Sequence, residues 1–494
     1  MLEMFNLKKQ YEGVRQELAH ALYSNDASNR VIARLMYERD QAREALVNVQ
    51  SSLGGSLGSS SAAAGPSQDT DMADADGAAP SSSSTVEAGP AIPEALSTTI
   101  DTTVAKLLAE RRAKSKRKVL PEGYATAESI AAYTDGSSSS SSVVKLGSAR
   151  TAQTGINTLD VSLDGSAVLV GGNDKNIEVY MHDAQGGEGQ SIAQLKGHKK
   201  PLIAAQFIKK PAQVLPVGAE AAASAAGLPV GIVSASEDGV VKVWKLEGET
   251  YISDYDIALA KEAAAALTGI SVHPSGEYVA LCTSEGTMLV HSLAAGEEVL
   301  SMSAPAEEEA DEAAGGYSYT TLQWHPDGQL VVLGTSSGIV RIWDVKTLKK
   351  AATLRPTPST SPSSNGDSSA AAIKSLDFSE NGYFLSLVLP GRVEVWDLRK
   401  LALAGSLELG GGVQPLAVKF DPSGSYLAVT GAGGKVGVYA NKSWKLLFDG
   451  SAVAGEKEGE EAGDIKAVAW DSRSGKVITG GGDRALRVWQ AASA

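Results

Sequence analysis

Apolar side chains near the start of the chain recur at alternating steps of three and four: Met4, Leu7, Tyr11, Val14, Leu18 and Ala21, then Ile32, Leu35, Ala42, Leu46, Val49 and Leu53. That spacing puts them on one stripe of a helix, with Arg, Lys and Glu on the other faces. A stripe without a core behind it needs a partner. Residues 1–53 are therefore expected to form a coiled-coil oligomerisation segment, with Leu7, Tyr11, Val14, Leu18, Ile32, Leu35 and Leu46 as its contacts. The pattern weakens at Ser24–Ser28, where Asn25 and Ser28 would fall on the seam and where Ser, Asn and Asp favour helix N-caps. One continuous helix with a polar register marker and two helices broken here both satisfy it.

From about residue 150 the period changes to that of strands, and one unit recurs: an apolar strand, a glycine turn, a second apolar strand, a small-residue turn, and a third strand ending in an aromatic. Examples are DGQLVVLGTSSGIVRIW, ending at Trp343, and SGSYLAVTGAGGKVGVY, ending at Tyr439. The turn glycines Gly165, Gly276, Gly328, Gly382, Gly424 and Gly475 precede the terminal Tyr180, His291, Trp343, Trp396, Tyr439 and Trp489 by 14 or 15 residues each time. A further unit, ending at Trp244, carries a longer loop in place of the first turn. Seven units at this period predict an all-β seven-bladed propeller. The last unit stops shortly after its third strand, so its outermost strand is expected from Val143–Leu146, which would close the ring and remove two sheet edges.

Between these parts, residues 54–90 are small, polar and acidic without aromatics, a composition that cannot bury a core and reads as a disordered linker. Residues 91–131 are expected to hold a short helical segment with the basic cluster Lys114, Lys116, Arg117 and Lys118. A Ser-rich linker, 132–142, leads to the propeller, 143–494. The cluster has the composition of a nuclear import signal, and equally that of a solvated helix end facing the negative pole of the helix dipole.

Charge narrows the function. A formal net charge of −14 argues against direct nucleic-acid binding by bulk electrostatics. No run approaches the roughly 20 apolar residues of a membrane span, the N-terminal stripe is not a secretory leader, and a single cysteine, Cys282, permits no intrachain disulfide. An intracellular protein is expected.

No complete catalytic constellation stands out. The six histidines occur at separate repeat positions without metal-ligand spacing, so no metal or cofactor is expected. Gly334–Gly338 fits the G-x-S-x-G pattern, but in a strand-to-strand turn rather than a nucleophile elbow, and Gly434-Lys435 is followed by Val436 rather than the hydroxyl residue of a phosphate loop.

The repeat units resemble WD repeats, most fully in the second unit, where Gly197-His198, Asp238 and Trp244 match that family's structural network. The resemblance implies that His198 bonds the turn Asp238 while a strand hydroxyl, matched here by Ser236, links toward Trp244. Arg15 to Leu46 (RQELAHALYSNDASNRVIARLMYERDQAREAL) resembles the helical segment of the pre-mRNA-processing factor nineteen family, which continues with a linker, a helical stretch and a seven-bladed WD-repeat domain in the order found here. The resemblance implies a nuclear scaffold of the Nineteen complex, which activates the spliceosome and works in DNA repair. It also implies a tetrameric helical segment, other complex proteins as partners, and the propeller as a platform for partners or ubiquitination substrates. The family also carries an N-terminal U-box that recruits ubiquitin-conjugating enzymes, and the helical stripe here begins at once. The leading expectation is a scaffold without that adaptor; the alternatives are a ubiquitin ligase whose U-box is missing from this version of the sequence, and a generic WD-repeat adaptor.

Overall fold

In the computed structural model the described residues are 94–115, 124–134, 143–145, 155–181, 191–209, 229–247, 250–258, 266–303, 318–356, 372–451, 463–482 and 485–491. Contacts divide the chain into Met1–Glu87 and Ala88–Ala494, and all described residues belong to the second unit. The heptad segment and the linker after it therefore lie outside the described residues.

The period-two segments pair with their sequence neighbours into seven antiparallel sheets. Blade 1 runs from Ile156 to Leu195, blade 2 from Leu202 to Ala258, blade 3 from Leu267 to Ser303, blade 4 from Tyr319 to Leu354, blade 5 from Ser375 to Leu407, and blade 6 from Pro415 to Ser451. Blade 7 contributes three strands of its own, from Ile465 to Ala491. The first strand of each blade touches the first strand of the next, and that of blade 7 returns to that of blade 1, so the sheets close into a ring. The architecture is an all-β seven-bladed propeller.

Burial follows from that stacking. The second strands Ala167–Gly172, Gly231–Ser236, Tyr278–Thr283, Phe384–Leu389 and Tyr426–Gly431 are buried at every residue. Each blade is covered on both faces by its neighbours, so these strands have no solvent side and read as continuous small or apolar runs rather than strict alternation. The fourth strands lie at the rim; Ala402–Leu407, for example, is exposed along most of its length. Among the described residues the core is divided rather than single. Seven hydrophobic clusters form among the described residues, each between two adjacent blades, as where Val233 of blade 2 meets Leu281 of blade 3 and Ile342 of blade 4 meets Leu387 of blade 5.

Five of the six turn glycines, Gly165, Gly276, Gly328, Gly382 and Gly424, adopt positive φ. At two of them a second constraint applies: a Cβ on Gly328 or Gly382 would stand 2.4 Å from the ring of His273 or His325 in the preceding blade. In blade 7 the left-handed position is Ser474 (φ 59°), not Gly475. The hydroxyl explains the exchange, since Ser474 Oγ donates to the buried Asp421 carboxylate of blade 6 at 2.7 Å.

Ring closure uses two segments. The third strand of blade 7, Ala485–Ala491, pairs on its outer edge with β2 (Val143–Lys145) and also with β1 (Tyr133–Thr134), in the registers Val144↔Leu486 and Tyr133↔Ala491. The tie therefore extends upstream of the Val143–Leu146 expected from the sequence. Tyr133 is 5% exposed and packs edge-on against Phe448, with ring centroids 5.7 Å apart. Strand patterning cannot show a two-residue strand, so this half of the closure is not visible in the sequence.

Candidate interaction surface

The hydrogen-bond network of blade 2 can be built by counting donors. Trp244 Nε1, which can only donate, gives its proton to Ser234 Oγ at 2.9 Å, and the same oxygen lies 2.8 Å from His198 Nε2. The other ring nitrogen, Nδ1, faces Asp238 Oδ2 at 3.6 Å. A proton on Nδ1 directed at the carboxylate leaves Nε2 free to accept the serine hydroxyl, which orders the chain Trp244, Ser234, His198, Asp238. Burial outweighs the nearby carboxylate and holds the His198 pKa below its ordinary value, so the ring is neutral. Burial pushes the Asp238 carboxyl up, but the hydrogen bonds it accepts, led by those from the backbone N–H groups of Lys199 and Val240, more than compensate, and its pKa ends below the usual range.

The hydroxyl that links toward Trp244 is thus Ser234 and not Ser236. Ser236 Oγ instead donates to the Lys200 carbonyl at 2.9 Å and accepts the Asp238 N–H at 3.3 Å, which shapes the turn. Trp489 Nε1 donates in the same way to Thr479 Oγ1 at 2.9 Å, and in the structure both hydroxyls precede their tryptophan by ten residues. Blades 1 and 5 use a different partner. There the terminal aromatics Tyr180 and Trp396 donate to Glu178 and Glu394 on their own strand.

A second set of bonds joins blades rather than strands. His273 Nδ1 accepts the Ser275 N–H, so Nε2 carries the proton and donates to the Gly328 carbonyl of blade 4 at 3.0 Å. His325 makes the same contact with Gly382 of blade 5 at 3.0 Å. On the first strands, the side chains of Asp160, Gln206, Ser271 and Asp377 each accept a backbone N–H from the following blade, at Phe207, Val272, Trp324 and Phe420. Asp377 also pairs with Lys419 at 2.7 Å, and its attraction outweighs burial to hold that ammonium above its ordinary pKa. Polar residues recurring at one position of the first strands were the sequence signal for these ties. Gly334–Gly338 lies at the end of the second strand of blade 4 and in the turn that follows.

Strands in each blade run antiparallel, so turns between first and second strands share one end with turns between third and fourth strands. Two upstream segments dock at that end. Helix α1 (Glu94–Ser115) follows Pro93 and carries Leu96, Ile100 and Val104 at steps of four. Leu96 and Ile100 are fully buried in the cluster between blades 3 and 4, and Asp101 pairs with Lys346 of the blade 4 turn at 2.5 Å. Helix α2 (Ala127–Ala131) starts at a capping box of Thr126 and Ser129. It buries Ile130 between blades 6 and 7, where the preceding Ala125 N–H donates to the Arg473 carbonyl at 3.2 Å.

Of the basic cluster, Lys114 falls in the last turn of α1, and Lys116, Arg117 and Lys118 lie outside the described residues. So do Leu7, Tyr11, Val14, Leu18, Ile32, Leu35 and Leu46.

Seven stacked blades, with an indole, hydroxyl, imidazole and carboxylate chain in blade 2, define a WD-repeat propeller protein. Family models for WD40 domains match within it: that of the anaphase-promoting complex subunit 4 WD40 domain over residues 273–381, and that of the G-beta repeat WD domain over residues 455–490. The Prp19/Pso4-like model matches residues 1–49. Pre-mRNA-processing factor 19 homolog 2 of Arabidopsis thaliana is 27% identical over 490 residues, covering 99% of this chain and 81% of its own length. Pre-mRNA-processing factor 19 of Oryza sativa subsp. japonica is 28% identical with the same coverage, and that of Bos taurus is 28% identical over 99% of this chain and 83% of its own. Over nearly its whole length the chain is thus similar to proteins named pre-mRNA-processing factor 19.

Proposed function

We propose that this protein is a scaffold subunit of a complex that acts in pre-mRNA splicing in the nucleus, with DNA repair as a second setting. One observation carries the reading: relatives named for pre-mRNA processing match 99% of the chain, helical segment and propeller together. The physical division of labour is consistent with it. A heptad stripe within the residues matched by the Prp19/Pso4-like model brings copies together, and the propeller presents a rigid rim and two faces to other proteins of the complex. The basic cluster Lys114 to Lys118 serves nuclear import in this reading, and its replacement by alanines should reduce nuclear accumulation of a linker fusion.

Depleting the protein in its own cells and sequencing RNA tests the splicing role. Retained introns should accumulate and be cleared by re-expression of the full chain, but not by the propeller alone. Unchanged intron removal after depletion would overturn the proposal.

A further inference from the structure

Six large apolar side chains are exposed among the described residues, and four of them, Tyr383, Leu401, Leu403 and Leu446, belong to the adjacent blades 5 and 6. Leu401 is the most informative. It sits at φ 49°, in the left-handed region that glycine enters freely and a branched side chain only at a cost, and its side chain is 52% exposed.

The same turn position recurs in neighbouring blades as Gly296, Leu348 and Trp444, all at positive φ. There it is used. Leu348 packs into the cluster that holds Val299 and Met302 of blade 3 together with Leu96 and Ile100 of α1. Trp444 lies on the fourth strand of blade 5, where its Nε1 donates to the Ala404 carbonyl at 3.0 Å. Leu401 alone of these side chains keeps the strained backbone without burial in the described chain to offset it.

The sequence around it repeats the turn that receives α1. Asp344-Val345-Lys346-Thr347-Leu348 in blade 4 corresponds to Asp397-Leu398-Arg399-Lys400-Leu401 in blade 5, and Asp344 and Asp397 accept the N–H groups of Lys346 and Arg399 alike. In blade 4, Lys346 receives the acidic Asp101 of a helix whose aliphatic side chains cover the groove beside Leu348. In blade 5, Arg399 is already oriented, bidentate on Asp397 and with its guanidinium 4.5 Å from the Tyr383 ring. Exposed Lys349 and Lys350 lie on the fourth strand of blade 4, which by this equivalence is the other wall of the groove, and Lys400 lies in the turn. Exposed Lys349 and Lys400 beside exposed apolar side chains, on a chain of net charge −14, favour a partner that carries negative charge.

We infer that the rim groove between blades 4 and 5, at Tyr383, Arg399, Lys400 and Leu401, docks an acidic amphipathic helix of another protein, with an aliphatic pair one turn apart and a carboxylate beside it. This deepens the reading of the propeller as a partner platform, and rests on it. The α1 contact of this chain shows the chemistry in cis.

The test uses the full chain and a fluorescein-labelled peptide of residues 92–110, which carries Leu96, Ile100 and Asp101. Anisotropy should report salt-sensitive binding that falls at least tenfold in Leu401→Gly and in Arg399→Glu/Lys400→Glu, and that is lost when the peptide carries Asp101→Lys. Leu401→Gly also relieves the left-handed strain, so its melting temperature should equal or exceed that of the parent while binding falls, a pairing that misfolding cannot produce. Binding abolished by Lys346→Glu but untouched by the blade 5 variants would place the peptide on the α1 groove and overturn the inference, as would no binding at all. A lower oligomer mass in Leu401→Gly would identify the occupant as a second copy and equally overturn it. Each of these failures leaves the splicing role untouched, since intron retention tests that separately.

Discussion

Replacing Tyr133 with alanine in the full chain tests whether residues 125–134 are part of the propeller rather than an appendage to it. Tyr133 is 5% exposed and its ring meets Phe448 at 5.7 Å. Its hydroxyl donates to the Ser474 carbonyl at 3.3 Å, and burial pushes the phenol pKa well above its ordinary value, so the donor persists through the alkaline range. Truncating a buried aromatic of this kind costs about 3–5 kcal/mol. An edge-on aromatic pair accounts for about 0.5–1.5 kcal/mol beyond area. The hydroxyl bond itself contributes about 1 kcal/mol. Tyr133→Ala should therefore lower unfolding stability by about 4 kcal/mol, and Tyr133→Phe by about 1 kcal/mol. The larger loss is a sizeable part of the 5–15 kcal/mol typical of a folded domain, and it falls where the ring closes. Urea unfolding followed by tryptophan fluorescence and far-ultraviolet circular dichroism gives both values. A loss under about 1 kcal/mol for Tyr133→Ala would show that β1 and α2 only rest on a ring closed by β2 alone, and the energetic argument would fail.

In blade 2, Ser234→Ala should cost about 1–3 kcal/mol, because it leaves Trp244 Nε1 and His198 Nε2 buried without their shared partner, whereas Ser236→Ala should cost about 1 kcal/mol; equal losses in urea titrations would refute the assignment. His273 has its pKa pushed down to about 4 by burial, against an unfolded value near 6.5, so the unfolded chain binds the extra proton between those values. Stability should be intact above about pH 6.5 and fall by about 3 kcal/mol as pH approaches 4, and His273→Asn should flatten that slope in melts taken across the range. In the N-terminal segment, Leu18→Asp or Leu35→Asp should disrupt self-association of residues 1–55 by placing a charge in an apolar seam; light scattering that finds the parent segment monomeric would remove the premise.

The number of blades was legible along the chain, because each repeat must supply its own strands and turns, and turn chemistry is local: Gly328 and Gly382 mark their positions by the φ they require. The partner of Trp244 was not legible. Ser234 and Ser236 stand two residues apart on the same strand, so both face the same way, and only the seating of the His198 ring against one of them separates the two. The exchange of Ser474 for glycine at a left-handed position depends likewise on Asp421, 53 residues away in the adjacent blade. Helix α1 shows the same division. Its stripe of Leu96, Ile100 and Val104 announces a buried face, but a pattern of side chains cannot say what covers it, and that was decided by the groove between blades 3 and 4. By itself the sequence determined the repeat, the turns and the apolar faces, since these follow from period and backbone preference over a few residues. The tertiary structure alone decided which hydroxyl completes the network, how far upstream the ring is tied, and which rim groove is already filled, because each depends on atoms that only folding brings together.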